Sequence, residues 1–241
     1  MGFKPLNSTI SSNKAELGGG IWNAGILTII NSTFSSNTAG ILSGGSIFNH
    51  EDGTLSVENS TFFGNEAAGG GAIENAGTMA IVNSTFSGNL AFVGGGLKSQ
   101  GVNAKANVTN STIFGNSVPN DGNGGGLFNQ QGTLMIINSI IAGNRGEDCY
   151  NRGGEWLGDL TGSNNLDSDG TCPGSGTLDG LDSELADNGG PTLTHALLGG
   201  SSAIDTGDPA SCSTTDQRGA ERSGTCDIGA YEFGSSVPDS D

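Results

Sequence analysis

One three-residue word, Asn-Ser-Thr, begins at Asn7, Asn31, Asn59, Asn83 and Asn110, with a degenerate copy at Asn138, and successive starts are 24, 28, 24, 27 and 28 residues apart. A second landmark, a glycine pair or triplet leading into an apolar residue, returns with it at Gly19-Gly20-Ile21, Gly45-Ser46-Ile47, Gly71-Ala72-Ile73, Gly95-Gly96-Leu97 and Gly125-Gly126-Leu127. A period in this range specifies a solenoid, because no unit can bury its apolar face alone and each is stabilised by its neighbours.

What fills the unit decides the kind of solenoid. Leu27-Thr28-Ile29-Ile30, Leu55-Ser56-Val57-Glu58 and Met79-Ala80-Ile81-Val82 alternate with period two, and nothing recurs at helical spacing. With 44 glycines in the chain, many of them in runs, a helical return of the leucine-rich-repeat type is disfavoured. The expectation is an all-β, right-handed parallel β-helix whose turns each contain three short strands and stack about 4.8 Å apart. Its inward columns would be Leu27 and Ile29, Leu55 and Val57, Met79 and Ile81, Ala106 and Val108, Leu134 and Ile136; then Phe34, Phe62, Phe86, Ile113 and Ile141; then Ile21, Ile47, Ile73, Leu97 and Leu127. Such a core is narrow, which accommodates a hydrophobic content of only 33%.

The corner residues Asn31, Asn59, Asn83, Asn110 and Asn138 tolerate the left-handed backbone that a tight turn needs, and stacked amides are expected to hydrogen-bond as a ladder. A second column, Asn23, Asn49, Asn75 and Asn129, is interrupted by Ser99. The Asn-Ser-Thr word also fits an N-glycosylation acceptor, but its recurrence at one corner favours turn chemistry. Outward positions supply candidate contact surfaces: Trp22, Phe48 and Phe128 on the glycine strand, and Ile30, Val82 and Ile137 on the first strand. Glu74 and Lys98, one turn apart, are expected to form a surface ion pair of small effect.

Three regions follow: repeats over residues 1–144, a C-terminal completion and cap over 145–234, and a polar tail over 235–241. Residues 1–6 show no basic segment followed by an apolar run, and Asn7 enters a coil with no upstream strand, so the reading expects a portion of a longer chain or a first end covered by another subunit. No stretch is apolar enough to span a bilayer. All four cysteines, Cys149, Cys172, Cys212 and Cys226, fall in the second region. Two disulfides stapling an end cap are expected, most simply Cys149 with Cys172 and Cys212 with Cys226, with the other pairings open. The spacings do not suit zinc. Asp167 and Asp169 lie in a stretch with the alternating oxygens of a calcium loop but without its bidentate glutamate, which makes calcium a weak candidate and leaves no other cofactor. Arg218 among Asp205, Asp208, Asp216 and Asp227 suggests a buried ion pair with Asp216, and His195 reads as an interior histidine. A net charge of −17 argues against nucleic acid and anionic membranes as partners.

The glycine-glycine-apolar element paired with Phe-Ser-Gly-Asn resembles the repeats of chlamydial polymorphic outer-membrane proteins. Ala186-Asp187-Asn188-Gly189-Gly190-Pro191-Thr192-Leu193-Thr194-His195, Ser202-Ala203-Ile204-Asp205, Thr215-Asp216-Gln217-Arg218-Gly219 and Cys226-Asp227-Ile228-Gly229-Ala230-Tyr231-Glu232 are similar to bacterial choice-of-anchor Q domain surface proteins. Together the resemblances imply a secreted or cell-surface β-helix whose C-terminal region completes the solenoid, and they transfer no catalytic residue. The expected function is that of a non-enzymatic extracellular structural or adhesive rod that self-assembles into a fibre or sheath or meets a cell-surface or glycan partner. The alternative is a carbohydrate-active β-helix, either a lyase- or epimerase-like enzyme or a glycan-binding module using Trp22, Phe48 and Phe128; the repeats offer an enzyme only Glu58, Glu74 and Lys98.

Overall fold

The computed structural model describes residues 2–40, 43–119 and 123–238, and these form a parallel β-helix of about six turns. Sheet A stacks the longest strands, Ile26–Ile30, Thr54–Glu58, Thr78–Val82, Lys105–Thr109, Thr133–Ile137 and Asp159–Ser163. Sheet B follows the Asn-Ser corner with Thr9–Ser11, Thr33–Ser35, Thr61–Phe63, Thr85–Ser87, Thr112–Phe114, Ile140–Ala142, Asn165–Asp167 and Ser175–Thr177. Sheet C holds the glycine-led strands Ile21–Asn23, Ile47–Asn49, Ile73–Asn75, Leu97–Ser99, Leu127–Asn129 and Cys149–Asn151. Pairing is parallel and in repeat register, so that Met79 stands between Leu55 and Ala106, and Phe86 between Phe62 and Ile113.

The inward columns are those the alternation predicts. Phe34, Phe62 and Phe86 stack with ring centroids 4.8 Å apart and planes within 11° of parallel, and the aliphatic columns beside them are buried. At the C-terminal end Cys149 takes the place in register of Leu127 and joins Cys172, so a disulfide lies over the core and closes it. At the other end residues 3–6 bridge to Leu27 and Ile30. The expectation that nothing upstream stacks on the first turn is therefore corrected: this short segment supplies part of a starting layer for sheet A.

Each letter of the Asn-Ser-Thr word has its own physical task. The asparagines adopt positive φ, between 46° and 50° from Asn7 to Asn138, as a tight corner of L-residues demands. The serines turn inward and form a ladder: Ser32, Ser60, Ser84 and Ser111 each donate a backbone N–H to the hydroxyl of the serine one turn on, at 3.0–3.2 Å. The threonines point outward from sheet B. The glycine landmark is steric, since a Cβ on Gly45, Gly71 or Gly95 would overlap the carbonyl oxygen of the glycine one turn above.

The region expected to form the cap divides in two. Residues 149–177 end the solenoid, with Ser175–Thr177 as the last strand of sheet B. Residues 178–233 then leave the axis and run back along the outer face of sheet B as a strap. Leu197, Ala203 and Ile228 of the strap bury Ile140, Ala142 and Leu166 of sheet B in a second, smaller core. The other disulfide, Cys212–Cys226, lies within this strap.

Candidate functional site

The strap is read by side chains that the repeat places at fixed intervals. Asn138 both donates to Asp208 O at 3.1 Å and accepts from Asp208 N at 2.8 Å. Asn110 and Asn83 donate to Ser211 O and Thr215 O. One column further on, Thr61 donates to Leu193 O at 2.6 Å, and Thr85 donates to the Gln217 carboxamide oxygen at 2.6 Å. The Gln217 amide nitrogen in turn donates to the hydroxyls of Thr61 and Thr192 at 2.8 and 2.9 Å. His195 is buried between Asp182 O and the Ser87 hydroxyl, 3.0 Å from each, with its ring against Phe114. Burial lowers its pKa below the ordinary histidine value, as befits an interior, neutral imidazole.

The corner asparagines are correctly placed but differently used. No hydrogen bond joins Asn31, Asn59, Asn83, Asn110 and Asn138 to one another among the described residues. The ladder expected there runs instead through the asparagines that close each Phe- or Ile-x-x-Asn element: Asn13, Asn37, Asn65, Asn89 and Asn116 each donate to the amide oxygen of the next, ending on Asn144, at 2.8–3.0 Å. Asn144 passes the ladder to the carboxylate of Asp148, which burial pushes above the usual carboxylate range. The spacing of Asn from Phe in the repeat was the signal for this column. The sheet C column bonds from Asn23 through Asn49 to Asn75 at 2.7 Å and stops at Ser99.

Charged residues are spent on structure. Glu74 and Lys98 pair at 3.2 Å as expected, but both are buried rather than on the surface, because the loop at Gly69 lies against both side chains. Burial raises the Glu74 pKa against the opposing pull of Lys98. Arg218 meets Asp216 at 2.7 Å, donates to Glu232 O and lies 3.7 Å over the Tyr231 ring. Sequence reading missed its companion, the buried Arg222–Glu232 pair at 3.0 Å. Asp167 accepts from Cys172 N, and Asp169 from Thr171 and Asp148 N, so the two calcium candidates serve the backbone of the cap. Among the described residues the one set of side chains close enough to share a metal ion is His50, Glu51 and Asp52, on an exposed turn.

Three surfaces stand out among the described residues. The first is the start of the rod, where Phe3, Leu6, Leu17, Trp22 and Ile26 are all about half exposed or more. Next to it Trp22 lies 5.6 Å from the His50 ring, with Phe48 beside them and the carboxylates of Glu51 and Asp52 at the rim. Phe128, expected with Trp22 and Phe48, is buried under a stacked Tyr150 and belongs to no contact surface. Ile30, Val82 and Ile137 are half-buried along one margin of sheet A, whose outer face is otherwise open. The third surface is a notch of about 300 Å³ where the strap stops, lined by Thr9, Thr33, Ser35 and Phe63 of sheet B and by Asp187, Gly190, Pro191, Thr192 and Leu193.

No helix is long and apolar enough to cross a membrane among the described residues. Comparison with family models, with curated proteins and with solved structures finds no match to the chain.

Proposed function

We propose that this chain is a non-enzymatic, extracellular structural or adhesive surface protein of the bacterial choice-of-anchor Q type, a short rod that works by its faces and its ends. The observation that carries this reading is where the chemistry has gone. The groups whose proton affinity is displaced, Glu74, Asp148, His195, Arg222, Asp227 and Glu232, are all held by hydrogen bonds within the rod, its cap or the strap. What the rod offers outward is an uncovered sheet, an apolar end and an aromatic cluster. Two disulfides suit an oxidising setting outside the cell.

The apolar end supports self-association, because unpaired strand edges rimmed by exposed apolar side chains template further pairing. The Trp22–Phe48–His50 cluster supports glycan adhesion as a second mode: aromatic faces stack on sugar rings while neighbouring carboxylates accept hydroxyl hydrogen bonds. Electron microscopy with glycan pull-down tests both. End-to-end filaments, or glycan retention lost in Trp22→Ala, support the proposal. Dispersed particles that retain no glycan and adhere to no cell surface contradict it, as does release of unsaturated or reducing sugar ends from an acidic polysaccharide.

A further inference from the structure

We propose that the two turns of sheet B left uncovered by the strap are a binding site for an extended polypeptide bearing a side-chain carboxamide, continuing the interface that the strap has already made. The strap shows what this face recognises. Threonines one turn apart, Thr61 and Thr85, hold the Gln217 carboxamide between them, one hydroxyl accepting from its nitrogen and the other donating to its oxygen. Thr61 also donates to the strap backbone, and the corner amides of Asn83, Asn110 and Asn138 take backbone carbonyls alongside.

The same receptor is written once more in the direction of the N-terminus. Thr9 and Thr33 are register partners one turn apart, as Thr61 and Thr85 are. Thr33 in turn is paired with Thr61, so the hydroxyl column is continuous from covered to uncovered turns. The hydroxyls of Thr9, Thr33 and Ser35 make no hydrogen bond within the described residues, whereas those of Thr61 and Thr85 are bonded to the strap. The strap ends beside them at Gly190-Pro191-Thr192-Leu193, leaving the notch between Phe63 and Asp187. An incoming strand would therefore lay its side-chain amide across Thr9 and Thr33, pack an apolar neighbour on Phe63 and present a backbone N–H to Asp187, whose Oδ1 already accepts from Gly189 N. Main-chain and amide bonds of this kind give affinity, and the column spacing sets which side chain fits. The proposal deepens the surface-protein reading by naming one class of partner.

The test uses the full oxidised chain and a fluorescein-labelled capped peptide, Gly-Thr-Leu-Gln-Leu-Thr-Gly, followed by anisotropy and by backbone amide shifts. We expect saturable binding with shifts at Thr9, Thr33 and Ser35, and a loss of tenfold or more in affinity for Thr33→Val and for the peptide with Glu in place of Gln. Ser35→Ala, a smaller change on the same face, should weaken binding if the Thr33 variant proves misfolded. Binding that is equal in all variants, or absent up to millimolar peptide, overturns the proposal. So does chitotriose bound in the peptide's stead and lost in Thr33→Val, which would assign the column to the acetamido group of a glycan. None of these outcomes alters filament formation or glycan retention at Trp22, which test the broader reading separately.

Discussion

Ser99 interrupts the asparagine column of sheet C, and the interruption leaves the Ser99 hydroxyl and the Asn129 side-chain oxygen buried without partners. An asparagine there would accept from Asn75 and donate to Asn129, so Ser99→Asn should raise stability by about 1 kcal/mol in a denaturant titration, the usual net value of a buried hydrogen bond. Phe86 makes the opposite case. Its ring is fully buried between Phe62 and Ile113, which cannot both move into the space, and Phe86→Ala should cost about 3–5 kcal/mol in the same assay. Glycines separate by position rather than by type. Gly95→Ala would drive a Cβ into the Gly125 carbonyl and should cost about 3 kcal/mol or more. Gly88, with φ of 61° and open space around it, should accept Asn at a cost of roughly 1 kcal/mol or less. His195 carries the clearest pH effect. Its proton is bound more weakly in the fold than in the unfolded chain, so its contribution is complete above about pH 6.5 and is lost as pH falls below that. The buried carboxylates Glu74 and Asp148 act in the reverse sense, their share growing as pH falls. Melting profiles of the parent and of His195→Gln should therefore differ by a steady amount above about pH 6.5 and draw together as pH falls below it; a difference that does not change with pH would refute the assignment.

At the scale of elements, the two disulfides do different work. Cys149–Cys172 spans 23 residues and seals the core, whereas Cys212–Cys226 spans 14 residues within the strap. Replacing the first pair by serine should lower global stability by about 2–4 kcal/mol. Replacing the second should chiefly speed amide exchange in residues 203–230 while the solenoid strands keep their protection. The strands themselves were legible in the sequence because alternation of Leu27 with Ile29, or of Met79 with Ile81, leaves one inward face to choose. The strap was not, because its recognition runs through hydroxyls and amides: a column of outward threonines looks solvent-facing until residues 132 positions distant are laid on it. The Asn ladder was read at the wrong corner for a related reason. Asn31 and Asn37 both occupy turns, and only the side-chain direction, set by positive φ at Asn31, decides which can stack.

For the whole molecule, the repeats build the rod and the C-terminal segment folds back on one of its three faces. Open sheet A, the aromatic start of sheet C and two bare turns of sheet B are among the places where a partner can meet it. The sequence carried the aromatic cluster at Trp22 and Phe48 but not the uncovered turns, since these are defined only by where the strap ends. The carboxamide-binding proposal depends on that fold-back. Its most direct test is the nuclear Overhauser spectrum of the Gln217 side-chain amide in the oxidised full chain. Cross-peaks from those protons to the methyl groups of Thr61, Thr85 and Thr192 are predicted. A Gln217 amide that exchanges freely with water and shows no contact to these threonines would contradict the account.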